Sequence, residues 1–150
     1  MKIGILTYSR AYNFGAILQA YALQHTIKKM GHEAIHIDYQ AQGVKKQYSY
    51  RLPNSIANIK IDLMLLITRT RRYKMDLFRR KMFFTSSKLK NQELSLLNTE
   101  FDSFIVGSDQ VWNGICTNHD RAYFLNFVND CKKKNRSEER RVGKECLEWW

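Results

Sequence analysis

The first forty residues hold an apolar strand, a helix and a second strand so close together that few folds can accommodate them. Lys2 to Thr7 is almost wholly apolar in its middle, as a strand covered on both faces would be. A polar and aromatic loop follows, Tyr8 to Gly15. GAILQAYALQHTIKKMG then sets Ala16, Ala20, Leu23, Ile27 and Met30 at spacings of four and three, one apolar helical stripe. Asn13 or Gly15 serves the start of this helix, Lys28 and Lys29 suit its last turn, and Gly31 supplies the left-handed residue that ends it. Glu33 to Tyr39 reads as a strand whose apolar members are Ala34, Ile35 and Ile37. Strand, helix and strand in this span make a βαβ unit, which places the two strands parallel. The expected class is α/β, a Rossmann-like parallel sheet with flanking helices.

Further along the pattern loosens. Gln40 to Asn54, with the chain's one proline at Pro53, reads as a long loop. Ser55 to Thr85 reads as one or two amphipathic helices with Ile59, Leu63, Leu66 and Ile67 on the apolar face. Glu93 to Asn98 suits a short helix, and Phe101 to Val106 a strand that runs into GSDQVWN. AYFLNFV, residues 122 to 128, fits either a strand or a helix. From Lys132 the sequence KKKNRSEERRVGKECLEWW has no periodicity that continues an α/β fold. Its RSEERRVGKEC core looks like translated vector or adapter sequence, so the domain is expected over residues 1–135, with 136–150 a foreign tail.

Several function classes fall away on composition. The 150 residues suffice for one domain with a real core, and 44% hydrophobic content is globular rather than disordered. No stretch approaches the ~20 apolar residues of a membrane helix, and MKIGILTYSR lacks a secretory apolar core, so a cytoplasmic chain is expected. Cys116, Cys131 and Cys146 form no CxxC pair, and His25, His32, His36 and His119 are scattered, so neither a disulfide framework nor a bound metal is expected. The net charge of +11 is concentrated between Arg69 and Lys90, where nine Lys or Arg stand against Asp76. No nucleic-acid motif accompanies that charge, so no nucleic-acid partner is expected. An exposed face near anionic substrates or the inner, anionic face of a membrane accounts for it equally well.

In a parallel sheet, ligands lie beyond the carboxyl ends of the strands. Two segments fall there. In Tyr8-Ser-Arg-Ala-Tyr-Asn-Phe-Gly15 the helix start offers free N–H groups to anions or sugar hydroxyls. Only Gly15 is present, so both dinucleotide and Walker patterns fail, although Asp38 ends the second strand where a ribose-binding acid would stand. The plainer reading is that Asn13 caps the helix and Gly15 permits close packing. The second segment is Val106-Gly-Ser-Asp-Gln-Val-Trp-Asn113. Gly107 lets the chain turn, and Ser108, Asp109, Gln110 and Asn113 then bring hydroxyl, carboxylate and amides beside the flat face of Trp112, a mixture suited to a sugar. Asp109 accepts from a sugar hydroxyl or acts as general base. Alternatively Ser108 or Asp109 caps a helical turn and Trp112 is core.

Taken together, MKIGILTYSRAYNFGAILQAYALQ, the IDY at 37 to 39, and FDSFIVGSDQVWN followed by AYFLNFV resemble the polysaccharide pyruvyl transferase family. The resemblance covers roughly residues 1 to 135 and is specific in the combination of NFGAILQAYAL with IVGSDQVW. It implies the first half of a GT-B-like enzyme of two Rossmann-like domains, with the ligand cleft between them. It further implies transfer of an enolpyruvyl unit from phosphoenolpyruvate to two hydroxyls of a sugar in a surface or exopolysaccharide precursor, leaving a ketal and phosphate. Phosphoenolpyruvate is then a donor substrate, and no cofactor is implied.

Donor-binding residues are expected beyond residue 135. The positions that carry over form an acceptor-side wall: Tyr8, Asn13, Gly15 and Gln19 in one group, and Ser108, Asp109, Gln110, Trp112 and Asn113 in the other. Asp109 is the candidate for a direct catalytic role, and Arg10 for an anion contact. The implied partner is a sugar or lipid-linked oligosaccharide acceptor, with peripheral membrane contact. Half an enzyme is expected to be inactive alone and to self-associate through its exposed interdomain face. The rival readings are a nucleotide-sugar glycosyltransferase of the same architecture and a non-enzymatic binding module using the basic face.

Overall fold

A computed structural model of the chain describes residues 1–42, 44–45, 56–107, 110–128 and 134–136. β1 (Lys2–Leu6) leads through the 7–13 loop into α1 (Phe14–Lys29) and then β2 (Glu33–Asp38). The single long helix α2 (Ile56–Met82) precedes β3 (Thr85–Lys88), a 3-10 segment (Asn91–Thr99) and β4 (Ser103–Val106). Short 3-10 turns, Gln110–Trp112 and Arg121–Phe124, bracket a helical turn at Gly114–Thr117 before β5 (Lys134–Arg136). Among the described residues five strands are ordered β3-β2-β1-β4-β5, and every neighbouring pair is parallel. This is the doubly wound strand order whose direction reverses between β1 and β4.

The expected βαβ unit is present with β1 at its centre, Ile3 opposite Ala34 on one side and Ser103 on the other. Both faces of the sheet are covered. Ile3, Ile5, Ala34 and Ile27 form one small cluster beneath α1, with Leu23 and Ile105 packed on it. The larger cluster on the other side includes Leu6, Ile37, Phe104, Val106, Leu94, Leu97, Phe101 and Tyr123. α1 packs on α2 and the residue after it through Ile17, Ala20, Met75 and Phe83, with Tyr21 and Phe78 edge to face at 5.5 Å.

Several expectations need correcting. Met30 does not continue the α1 stripe: it is the cap residue after the helix and is 67% exposed. In β2 the buried residues are Ala34, His36 and Ile37, while Ile35 is only partly covered, because a strand inside a two-sided sheet need not alternate. Of the one or two helices expected over 55–85 there is one, and it ends at Met82 rather than Thr85, since Thr85–Lys88 forms β3 against β2. The strand expected from Phe101 begins at Ser103. AYFLNFV is neither strand nor α-helix but the end of a 3-10 turn closed by Leu125 in the left-handed region, φ 57°. Residues 42, 44 and 45 of the expected loop are helical. The rest of that loop from 46, together with Cys131, Cys146 and the tail from 137, lies outside the described residues.

Candidate functional site

The carboxyl edge of β1 is assembled by a chain of local bonds. Ser9 N donates to Thr7 O at 2.8 Å and Ala11 N to Tyr8 O at 3.0 Å, folding the loop back before α1. Asn13, in an extended conformation, accepts from Gly15 N at 2.8 Å and Ala16 N at 3.4 Å through its side chain. The plainer reading of Asn13 therefore holds, for its carbonyl oxygen is engaged with the first turn of α1. Gly15 contributes an N–H to that cap. Thr7 Oγ1 donates to Gln19 Oε1 at 3.4 Å, which ties the strand end to the second turn of the helix.

β4 ends at the same edge. Leu6 is opposite Val106, and Gly107 N donates to Leu6 O at 3.0 Å. Gly107 lies so close to the β1 end that a Cβ there would stand 2.5 Å from Thr7 Oγ1, 2.6 Å from Thr7 Cβ and 3.1 Å from Gln19 Nε2. Close approach, rather than a left-handed turn, is what glycine supplies here, since Gly31 is the described glycine with positive φ. The loops after β1 and β4 thus start side by side. Ser108 and Asp109 lie outside the described residues, as does the Gln110 side chain, so Asp109 has no described geometry.

Trp112 is half-buried, packed against the larger core cluster, and its indole Nε1 donates to Tyr123 O at 3.2 Å. Asn113 O accepts from Thr117 N and from Thr117 Oγ1, both at 3.0 Å, so its backbone begins the short helical turn. Tyr8 is buried rather than lining a surface, and its ring meets Tyr123 edge to face at 5.3 Å. Arg10 reaches across to Asp38, its Nε and Nη2 each bonding one carboxylate oxygen. This pair faces a shallow depression lined by Gln40, Lys45, Lys88 and Leu89 as well. Asp38 is therefore already held by a cation, which alters the ribose-binding role its position suggests.

The structure also brings together a group that sequence reasoning did not connect. Tyr39 donates its hydroxyl to Asp120 Oδ2, while Asp120 Oδ1 accepts from Ala122 N at 3.0 Å and caps the 3-10 turn. Tyr123 is fully buried next to Tyr39, ring centroids 6.0 Å apart. Burial first, and then the bond to Asp120, raises the Tyr39 phenol well above its usual range. Burial raises Tyr123 likewise, with Asp120 adding to it and the backbone of Ala41 opposing it. Both phenols stay protonated at neutral pH, and Tyr39 donates its proton to Asp120. An Asp one residue before a turn was a visible capping signal, but its pairing with Tyr39 joins residues 81 apart. Among the described residues no group of three His, Cys, Asp or Glu is placed to hold a metal ion.

The family model described as polysaccharide pyruvyl transferase matches residues 13–136, a span that begins at the α1 cap and ends in β5. Tyr8 and Arg10 precede it. No curated protein and no solved structure matches the chain.

Proposed function

The chain belongs to the polysaccharide pyruvyl transferase family, and on that premise we propose that its described domain forms the acceptor-side wall of a transferase moving an enolpyruvyl unit from phosphoenolpyruvate to a sugar. The observation that carries this reading is the contact of Gly107 with Thr7 and Gln19. It sets the β1 and β4 loops together at the switch point of the sheet, where ligands of open α/β folds bind. In this reading Gln19, Trp112 and Asn113 line the sugar-facing side, and Ser108 and Gln110 contribute sugar contacts. Asp109 receives the proton of the attacking hydroxyl. Tyr8 backs the wall from its buried position, and the exposed Asn13 and Gly15 fix the start of α1 at its rim through the capping bonds. The reaction also needs an acid for the enol carbon and cations for the donor's phosphate and carboxylate. Arg10, already paired with Asp38, is a poor source of the latter; in this reading the donor is held by residues other than the acceptor wall, and the chain alone does not turn over.

Saturation-transfer NMR of the chain with pyranosides, with phosphoenolpyruvate and with a nucleotide sugar tests this division. Pyranoside binding that is lost in Asp109→Asn and in Trp112→Ala is expected. Binding of the nucleotide sugar alone would favour an ordinary glycosyltransferase and refute the proposal. Phosphate release by the chain on its own would refute the inactivity.

A further inference from the structure

The outer face of α2 plays no part in the site above. Successive residues of an α-helix are about 100° apart, so Met75, Phe78, Arg79 and Met82 share one side. That side packs on α1: Met75 is buried, Phe78 and Met82 belong to the interhelical cluster, and Arg79 Nη1 donates to Ser9 O at 3.3 Å. The opposite side carries Tyr73 and Leu77 at its centre, 67% and 52% exposed. Arg69 and Arg80 flank them on one side, Lys74 and Lys81 on the other, all exposed. The one acid of this stretch, Asp76, is occupied elsewhere, accepting from Tyr12 Oη at 3.1 Å and from Arg79 Nη2. Four cations therefore surround an aromatic and an aliphatic side chain on a face without an opposing charge.

We propose that this face of α2 docks on the surface of an anionic lipid bilayer, with Tyr73 and Leu77 entering the headgroup layer and Arg69, Lys74, Arg80 and Lys81 meeting lipid phosphates. An amphipathic helix lying in the plane of a membrane combines these two features, a narrow apolar centre and a cationic border. A nucleic-acid duplex would satisfy the cations but leave Leu77 without a purpose. Charge complementarity favours an anionic surface over another protein, because the border is of one sign along both edges. The β1–α1 loop lies on the other side of α2 from this face, where Arg72 and Arg79 stand over the Tyr12 ring at 4.7 and 4.9 Å. The docking proposal stands independently of the transferase reading.

Co-sedimentation of the full chain with vesicles of phosphatidylcholine alone, and of equal parts phosphatidylcholine and phosphatidylglycerol, provides the test. Partition onto the anionic vesicles only, weakening with salt, is expected. Each surface cation removed should cost about fivefold, so Lys74→Gln with Lys81→Gln should weaken partition roughly thirtyfold. Leu77→Ser leaves the charge unchanged and should weaken it about tenfold, while leaving any DNA binding as it was. All three positions are exposed, so the variants should melt with the parent chain. Equal partition onto neutral vesicles, or unchanged partition of Leu77→Ser, would overturn the proposal. So would binding to a DNA duplex stronger than to the anionic vesicles.

Discussion

Replacing Gly107 by alanine adds a methyl group where the end of β1 already stands. The new Cβ would lie 2.5 Å from Thr7 Oγ1 and 2.6 Å from Thr7 Cβ, both well inside contact distance. Neither atom is the tip of a flexible side chain: Thr7 is 1% exposed and follows directly on β1. Relief therefore requires the backbones of the two strand ends to part, against the bond from Gly107 N to Leu6 O. Overpacking of this kind costs about 1–3 kcal/mol, and the absence of a soft neighbour puts this case at about 2–3 kcal/mol. At about 3 °C per kcal/mol for a chain of this size, the melting temperature should fall by roughly 6–9 °C. Urea unfolding followed by circular dichroism, with the slope of the transition unchanged, measures the loss. Thr7→Ala in the same background removes Oγ1 but keeps the Cβ, so it should restore only part of the stability. A loss below about 0.5 kcal/mol for Gly107→Ala would refute the close approach of the two loops, and with it the shared site.

His36 predicts a pH dependence. Burial, reinforced by Lys28 and opposed by the backbone of Ala20, holds its pKa at about 4 against an ordinary 6.5. The unfolded chain thus binds the proton more readily, and the stability contributed by the neutral ring is present above pH 6.5 and lost as the pH falls toward 4. The loss between pH 7 and pH 5 should be up to about 2 kcal/mol. His36→Leu should flatten the urea midpoint over that range, and an unchanged slope would show that His36 is not buried in neutral form. Asn13→Ala removes the cap of α1 and should cost about 1 kcal/mol, read from thermal unfolding. A neutral outcome would show that the helix start is satisfied without that side chain.

The parts of this fold legible in the sequence are those whose causes lie within a few residues of one another. The β1–α1–β2 unit follows from an apolar run, a stripe spaced by three and four, a capping Asn13 and a stop at Gly31, whose φ is 84°. Lys28 and Lys29 lie in the last turn for the same local reason. That two loops follow strands of one parallel sheet could likewise be read from order alone. β3 could not: TSSK has no apolar pattern, and it is a strand because β2 places His36 opposite Thr85 and Asp38 opposite Lys88. The bonds from Arg10 to Asp38 and from Tyr39 to Asp120 cross 28 and 81 residues, and nothing in either partner's neighbourhood announces the other. Gly107 was visible as a glycine, but the reason for it was visible only in space. The sequence by itself determined which segments would be helix and central strand, because propensity, periodicity and capping act locally. Only the tertiary structure decided which side chains meet at the sheet edge, because those contacts depend on the packing of strands that lie a hundred residues apart.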